Sequence, residues 1–300
     1  MTETKEIKTE EKQELVPQIT ISPSSINCYH KCPRSYFYHY LAKIKTKPNI
    51  HLIKGSIVHK VLEDFFKGYK PDFDKHLELL FEKTWEKNDQ QIKNLEITPE
   101  EIDQAKQDCQ NMVAEYKITL QRKMKSLMDV GKAENPQHAF FLIKPKFREM
   151  YVKDENLHCC GYIDRINKGF DGLITLGDYK TSAKYGLGLP EDYKRQLSIY
   201  SLLYKTQEKV TPDFVAVDFL RYGETYFLEV TPSLLRYARD TISNTYEKTR
   251  STSIDHYPLK EGVLCKWCDY AKICSGEAEW EEIVRIQNIK KLLKIEEKKK

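Results

Sequence analysis

The chain changes its hydrophobic rhythm once, near residue 138, and that change limits the fold more than any other feature of its 300 residues. Before it, apolar residues recur at helical spacing. Ile53, Ile57, Val58, Val61, Leu62, Phe65 and Phe66 form the stripe of a helix over about 51–69. Residues 73–87 and 99–129 read as two more helices, the second opened by the capping box Thr98-Pro99-Glu100-Glu101. An earlier helix starts at Ser22-Pro23 and carries Ile26, Tyr29 and, past the Cys32-Pro33 interruption, Tyr36, Phe37, Tyr40 and Leu41. After the change, Phe140–Val152, Leu157–Asn167 and Leu173–Thr181 read as successive strands, with Asn167–Gly172 as a turn between the last two. A helix over 191–207, strands over 213–221 and 224–230, and a helix over 232–250 follow. The expectation is an α/β protein, helical in front, with a compact sheet in its second half.

Residues 1–19 are polar and aperiodic and read as a disordered tail, and residues 277–300 as a charged C-terminal helix, leaving 20–276 as one folded domain. No apolar run approaches the ~20 residues of a membrane span, and no apolar stretch follows Met1. The default expectation is a cytoplasmic, nucleoid-associated location, with an organelle or a virus-infected cell left open. Lys and Arg number 49 against 45 Asp and Glu, a net charge of +4 that permits a nucleic-acid partner without requiring one. There is no G-x-x-x-x-G-K-[ST] loop, so any motor must be a separate chain.

Four short patterns carry chemistry. In Gly177-Asp178-Tyr179-Lys180-Thr181, residues two apart on a strand share a face, which sets Asp178 beside Lys180, roughly 7 Å apart at the backbone. A carboxylate that holds a divalent metal beside an ammonium that meets a phosphate is the minimum kit for phosphodiester hydrolysis. In Cys160-Gly161-Tyr162-Ile163-Asp164-Arg165, an acid sits in an apolar strand and needs a partner or a cation. Arg165 points to the other face, and a hairpin would bring Asp164 to Asp178. Gly55, His59 and Glu63 follow i, i+4 spacing on one helix face. There His59 could offer a neutral imidazole, while Glu63 reads as a surface acid or a supporting one. Gln196 and Tyr200 repeat that spacing on the helix after the Asp-x-Lys strand, where Gln196 would contact a phosphate, hold the lysine or serve as a core amide.

Taken in order, Gly55-x-x-x-His59, Gly161-x-Ile163-Asp164-Arg165, Asp178-Tyr179-Lys180-Thr181 and Gln196-x-x-x-Tyr200 resemble the RecB-like branch of the PD-(D/E)XK nuclease superfamily. The resemblance covers about residues 20–276. It implies a restriction-endonuclease-like core with a central mixed sheet flanked by helices. It also implies that His59, Asp164, Asp178 and the backbone carbonyl of Tyr179 hold Mg2+ or Mn2+, an imidazole ligand admitting Mn2+. Lys180 would be the catalytic lysine, and Gln196 and Tyr200 would lie near DNA. Glu149 stands where this family often has an acid and is an accessory candidate. The first acid here follows Ile163 and not a proline, as is usual in the RecB-like branch.

Three of the eight cysteines form the ligand spacing Cys265-x2-Cys268-x5-Cys274, one thiol short of a closed site. The iron–sulfur nucleases similar to AddB, exonuclease V and the CRISPR-associated RecB-like exonucleases place one further cysteine in an upstream Cys-Pro, here Cys32-Pro33. That resemblance implies a [4Fe–4S] cluster on Cys32, Cys265, Cys268 and Cys274, with zinc as the lesser alternative and Cys28 as the rival for Cys32. Cys109, Cys159 and Cys160 read as ordinary buried thiols. The implied activity is metal-dependent DNA cleavage, with single-stranded DNA as substrate and an exonuclease role in end processing for recombination, repair or CRISPR adaptation. A separate helicase, recombinase or integrase is the matching partner. The competing reading is a silent or partner-dependent DNA-binding subunit. The tyrosines of the first helix (Tyr29, Tyr36, Tyr38, Tyr40) suit base stacking and core packing equally.

Overall fold

The computed structural model describes residues 19–183 and 188–297, so residues 1–18 of the expected N-terminal tail lie outside it. In chain order, the front of the molecule is helical: α1 (Pro23–Lys31), α2 (Pro33–Tyr36), α3 (Ile50–Phe65), α4 (Phe73–Lys93), α5 (Pro99–Asp129) and α6 (Pro136–Ile143). Strands β1 (Phe147–Asp154), β2 (Cys159–Lys168) and β3 (Ile174–Lys180) follow, then α7 (Glu191–Glu208), β4 (Phe214–Phe219), β5 (Glu224–Glu229) and α8 (Pro232–Lys248). Short helical turns over Val263–Trp267 and α9 (Ala271–Cys274) carry the late cysteines, and α10 (Trp280–Glu297) follows.

The helix starts follow the capping signals in the sequence. Ser22 and Ser25 form a reciprocal capping box at α1, and Thr98 and Glu101 form another at α5, each with proline in the first turn. Two readings need correction. The segment expected to be one strand from Phe140 to Val152 is helix as far as Ile143 and strand only from Phe147. Asn135 accepts the His138 N–H and Pro136 opens the helix, so Phe140 is buried from a helix and not from a strand. The helix expected over 73–87 runs on to Lys93, where Ile92 is buried.

The five strands lie in the order β1-β2-β3-β4-β5. All neighbours are antiparallel except β3 and β4, which are parallel and connected through α7. This is an α/β fold with a mixed sheet flanked by helices, of the restriction-endonuclease type. One face packs against α3, α4, α5 and α6 around Ile57, Phe65, Phe66, Phe140 and Tyr179. The other packs against α1, α7 and α8 around Ile26, Leu176, Leu203, Val217 and Ile242. A third, aromatic core joins the two ends of the chain: Tyr36, Phe37 and Tyr38 pack with Tyr257 and Tyr270, and Trp280 lies edge-on to Phe37. Tyr36 and Tyr38 are therefore core residues, unavailable for stacking on a base. Among the described residues, no helix is long and apolar enough to cross a membrane.

Candidate active site

The ladder between β2 and β3 ends at the pair Arg165 and Gly177. Beyond it the strands part, and the fork holds the residues that the sequence singles out. Arg165 turns to the α5 face, where its Nε donates to Asp218 Oδ2 at 2.7 Å and Thr225 Oγ1 donates to Asp218 Oδ1 at 2.7 Å. Gly177 makes room for it, since a Cβ there would fall 2.3 Å from the guanidinium carbon. A buried charge with its partner in place fixes the strands up to the fork.

Asp164 is the first residue of β2 past the ladder. In place of a ladder bond, the Tyr179 N–H donates to its Oδ2 at 2.6 Å. His59 reaches in from α3, with Nδ1 3.5 Å from the same oxygen and its ring edge-on to Tyr179. Glu149, on β1, falls in the gap of the register opposite Asp164, between the pairs Arg148–Arg165 and Met150–Ile163, and lies in the left-handed region at φ 49°. That backbone is costly for a side chain with a Cβ, and such outliers gather at functional sites. Ligand atoms of His59, Glu149 and Asp164 all lie within 4.8 Å of one another. Glu149 thus belongs to the central group, although the sequence offers it only as accessory. The signal in the sequence is its standing where the resembled family often has an acid.

Asp178 and Lys180 stand side by side on β3, with Nζ 2.7 Å from Asp178 Oδ2. Gln196, one turn into α7, connects them: its Oε1 accepts from Lys180 at 3.0 Å and its Nε2 donates to Asp178 Oδ1 at 2.8 Å. Tyr200 lies behind Gln196, 3.1 Å from its Nε2, and is 7% exposed. Its ring occupies the space beside Gly161, where a Cβ would fall 2.8 Å from Tyr200 Cε1. Tyr200 is thus placed to support Gln196 from below. Glu63 pairs with Lys60 at 2.7 Å and stays outside the central group. Tyr193, which the motifs did not flag, offers its ring 5.0 Å from Lys180 Nζ. Arg221 also escaped notice. Its Nε donates to the Thr181 carbonyl, next to Lys180, while Asp108 holds its Nη2 at 3.1 Å and the buried Lys54 at 2.6 Å.

The electrostatics of the fork call for a cation. Burial, reinforced by the Asp164 charge and against the pull of Lys180, pushes Asp178 up to about 6. Burial and then Asp164 raise Glu149. Burial also works against Asp164, but His59, the Tyr179 N–H and Lys180 outweigh it and hold that carboxyl below its usual range. Burial would lower Lys180, yet Asp178 overrides it and keeps the ammonium charged. Asp178 and Asp164 thus both act on the one ammonium, and Glu149 crowds Asp164. Asp178 Oδ2 is buried and accepts no well-directed hydrogen bond, although Lys180 lies beside it. An orphaned buried oxygen and a surplus of acid are what a divalent metal relieves. His59, Glu149 and Asp164 stand close enough to share such an ion, and Asp178 adjoins that group of three. Tyr179 has no ladder partner on β2, where its N–H goes to Asp164, and it pairs on its other side with Asp218 of β4.

The cysteines form a second cluster, far from the fork in sequence. Cys32, Cys265, Cys268 and Cys274 line one cavity of about 900 Å3, together with Lys31, Trp267 and Tyr270. Cys32 is extended between α1 and α2, which turns it out of the helical run. Partial desolvation and then the thiols of Cys268, Cys32 and Cys265 push the Cys274 thiol up, as expected where thiols crowd together. Cys28 lies outside the lining and contacts Ser35 Oγ at 3.7 Å. Cys109 and Cys159 are buried as expected, whereas Cys160 is only half-buried.

The family model of the PD-(D/E)XK nuclease superfamily matches residues 20–275. No curated protein matches the sequence. Among solved structures, the chain is similar to a Eubacterium rectale protein described as a candidate exonuclease, at 12% identity and a TM-score of 0.49, over 84% of this chain and 88% of that one. With the family match spanning all the motif residues from His59 to Tyr200, the chain belongs to the PD-(D/E)XK nuclease superfamily.

Proposed function

We propose that this chain is a RecB-like, metal-dependent deoxyribonuclease that acts as an exonuclease on single-stranded DNA during end processing. The observation that carries this reading is the fork between β2 and β3. There His59, Glu149 and Asp164 come within 4.8 Å of one another beside the linked set Asp178, Lys180 and Gln196. Mg2+ or Mn2+ bound there supplies Lewis-acid polarisation of a phosphoryl oxygen and a water of lowered pKa. His59, Glu149, Asp164, Asp178 and the Tyr179 carbonyl are the proposed ligands. Lys180 would place its ammonium where the phosphoryl oxygens gather negative charge in the pentacoordinate transition state. Gln196 aims that ammonium and holds Asp178 in one rotamer, and Tyr200 fixes Gln196 from behind.

Cys32, Cys265, Cys268 and Cys274 are proposed to hold a [4Fe–4S] cluster. The four cysteines line one cavity, and the preference for several irons over one zinc rests on the resemblance. The cluster would tie residue 32 to residue 265 and close a long loop.

The test is a cleavage assay on single- and double-stranded DNA labelled separately at each end, with protein purified without oxygen and supplied with Mg2+ or Mn2+. Stepwise, metal-dependent shortening of the single strand, lost in Asp178→Ala and Lys180→Ala, is the expected result. Well-folded, cluster-loaded protein that binds DNA without cutting it would replace this reading by the non-cleaving subunit.

A further inference from the structure

The aromatic residues of the first helical segment are spent on a core, but three on β1 and β2 are not. Tyr151 and Tyr162 face each other across β1 and β2, with ring centroids 5.0 Å apart at 49°. They are 45% and 56% exposed. Phe147, on the same strand as Tyr151, is also exposed. The register puts these rings around the acids: Phe147 and Tyr151 bracket Glu149, and Tyr162 stands two residues from Asp164. Two residues of strand span roughly 7 Å, about the reach of one extended nucleotide. A cross-strand tyrosine pair steadies a hairpin, but that role does not need both rings half open to solvent next to a metal-competent fork.

We infer that Tyr151 and Tyr162 form a stacking platform for the bases of a single-stranded polynucleotide whose phosphate lies in the fork. The inference rests on the nuclease reading above and extends it to substrate choice. Every base has a π-face, so stacking holds a strand without reading its sequence. A duplex keeps those faces inside its own stack, so the platform selects unpaired strands. The occupant is nucleic acid because the platform is continuous with acids suited to bind phosphate-bridging metal, and an aromatic ring beside them is matched in chemistry by a base.

The test compares wild type, Tyr151→Leu/Tyr162→Leu and Tyr151→Phe/Tyr162→Phe on single-stranded oligonucleotides with normal or abasic residues near the cleaved end. Wild type and the Phe variant are expected to lose roughly tenfold in kcat/KM on the abasic strand, with the change in KM. The Leu variant is expected to start from the raised KM and to treat both strands alike. A role limited to holding the hairpin would lower activity on both strands equally and keep the tenfold discrimination in the Leu variant, which would overturn the inference. A docking face for another protein predicts the same unchanged discrimination. A second readout needs no cutting. The fluorescence of a 2-aminopurine base in the bound strand should be quenched by wild type and not by the Leu variant, and equal quenching in both would again overturn it. Failure of wild type to cut would count against the nuclease reading alone, because the fluorescence still judges the platform.

Discussion

The fork and the cysteine cavity both gather side chains of metal-binding type, yet they are made in opposite ways. The fork is assembled from regular elements: three strands, α3 and α7 deliver its side chains, and its donors and acceptors are already linked. The cavity is assembled from short turns, and Cys265 and Cys274 are exposed, as are Val263, Leu264 and Trp267 around them. The first arrangement holds its geometry through its own packing, as a site that must orient groups for reaction should. The second gathers sulfurs without closing on them, as a site whose ligand contributes to folding should. The difference matches the proposed division, with cutting at the fork and stapling of the chain ends by the cysteines.

The widest separation between the two regions should come from Asp178→Asn and Lys180→Ala. Each is expected to reduce DNA cleavage by roughly 10^3-fold or more while shifting the melting temperature by only a few degrees, read by end-label assay and calorimetry. Cys265→Ser should do the reverse. By the chain-entropy estimate, releasing a loop from residue 32 to residue 265 costs about 5 kcal/mol, on the order of 10 °C in melting temperature. Cleavage per folded molecule should hold within a few fold. Cleavage lost without any loss of stability would break the comparison.

Asp108→Asn tests whether the fork is braced from outside. Asp108 neutralises buried Lys54 and steadies Arg221, whose Nε caps the Thr181 carbonyl. Removing its charge should cost about 3 kcal/mol, seen as a lower denaturation midpoint. The same carboxyl gives a pH signature. Burial raises it, but Lys54, Gln104 and Arg221 outweigh burial and hold it at about 2, below the usual 3.8. A lowered folded-state pKa means that its stabilisation is complete above about pH 4 and is lost as pH falls toward 2. Wild type should therefore shed about 2 kcal/mol more than Asp108→Asn over that window. Gln196→Ala is the smallest effect: a 10- to 100-fold drop in cleavage, since Lys180 and Asp178 remain but lose their common support.

What could be read in advance follows from which interactions are local. The Asp178–Lys180 pair was legible because strand periodicity alone puts both on one face, and Arg165 was correctly sent to the other. The helix contribution of His59 was legible from i, i+4 spacing and resemblance together. Glu149 was underrated because its approach depends on a left-handed backbone opposite Asp164, which no periodicity announces. The run Phe140-Phe141-Leu142-Ile143 was misread as strand, since a short apolar run has no period of its own. The deciding signal was the Asn135-Pro136 cap. Tyr200 was expected near DNA, but its burial follows from the bare backbone of Gly161, which lets the ring close over β2. The bracing by Asp108, Lys54 and Arg221 joins α5, α3 and the end of β4, and contacts so far apart in the chain leave no local pattern.

The central claim is that the fork binds a divalent metal through its own acids. Binding of Mn2+, followed by electron paramagnetic resonance on anaerobically purified wild type and Asp164→Ala, tests it most directly. The account predicts saturable Mn2+ binding by wild type, weakened at least tenfold in the variant while the cysteine site stays loaded. Equal Mn2+ binding by both proteins would contradict it.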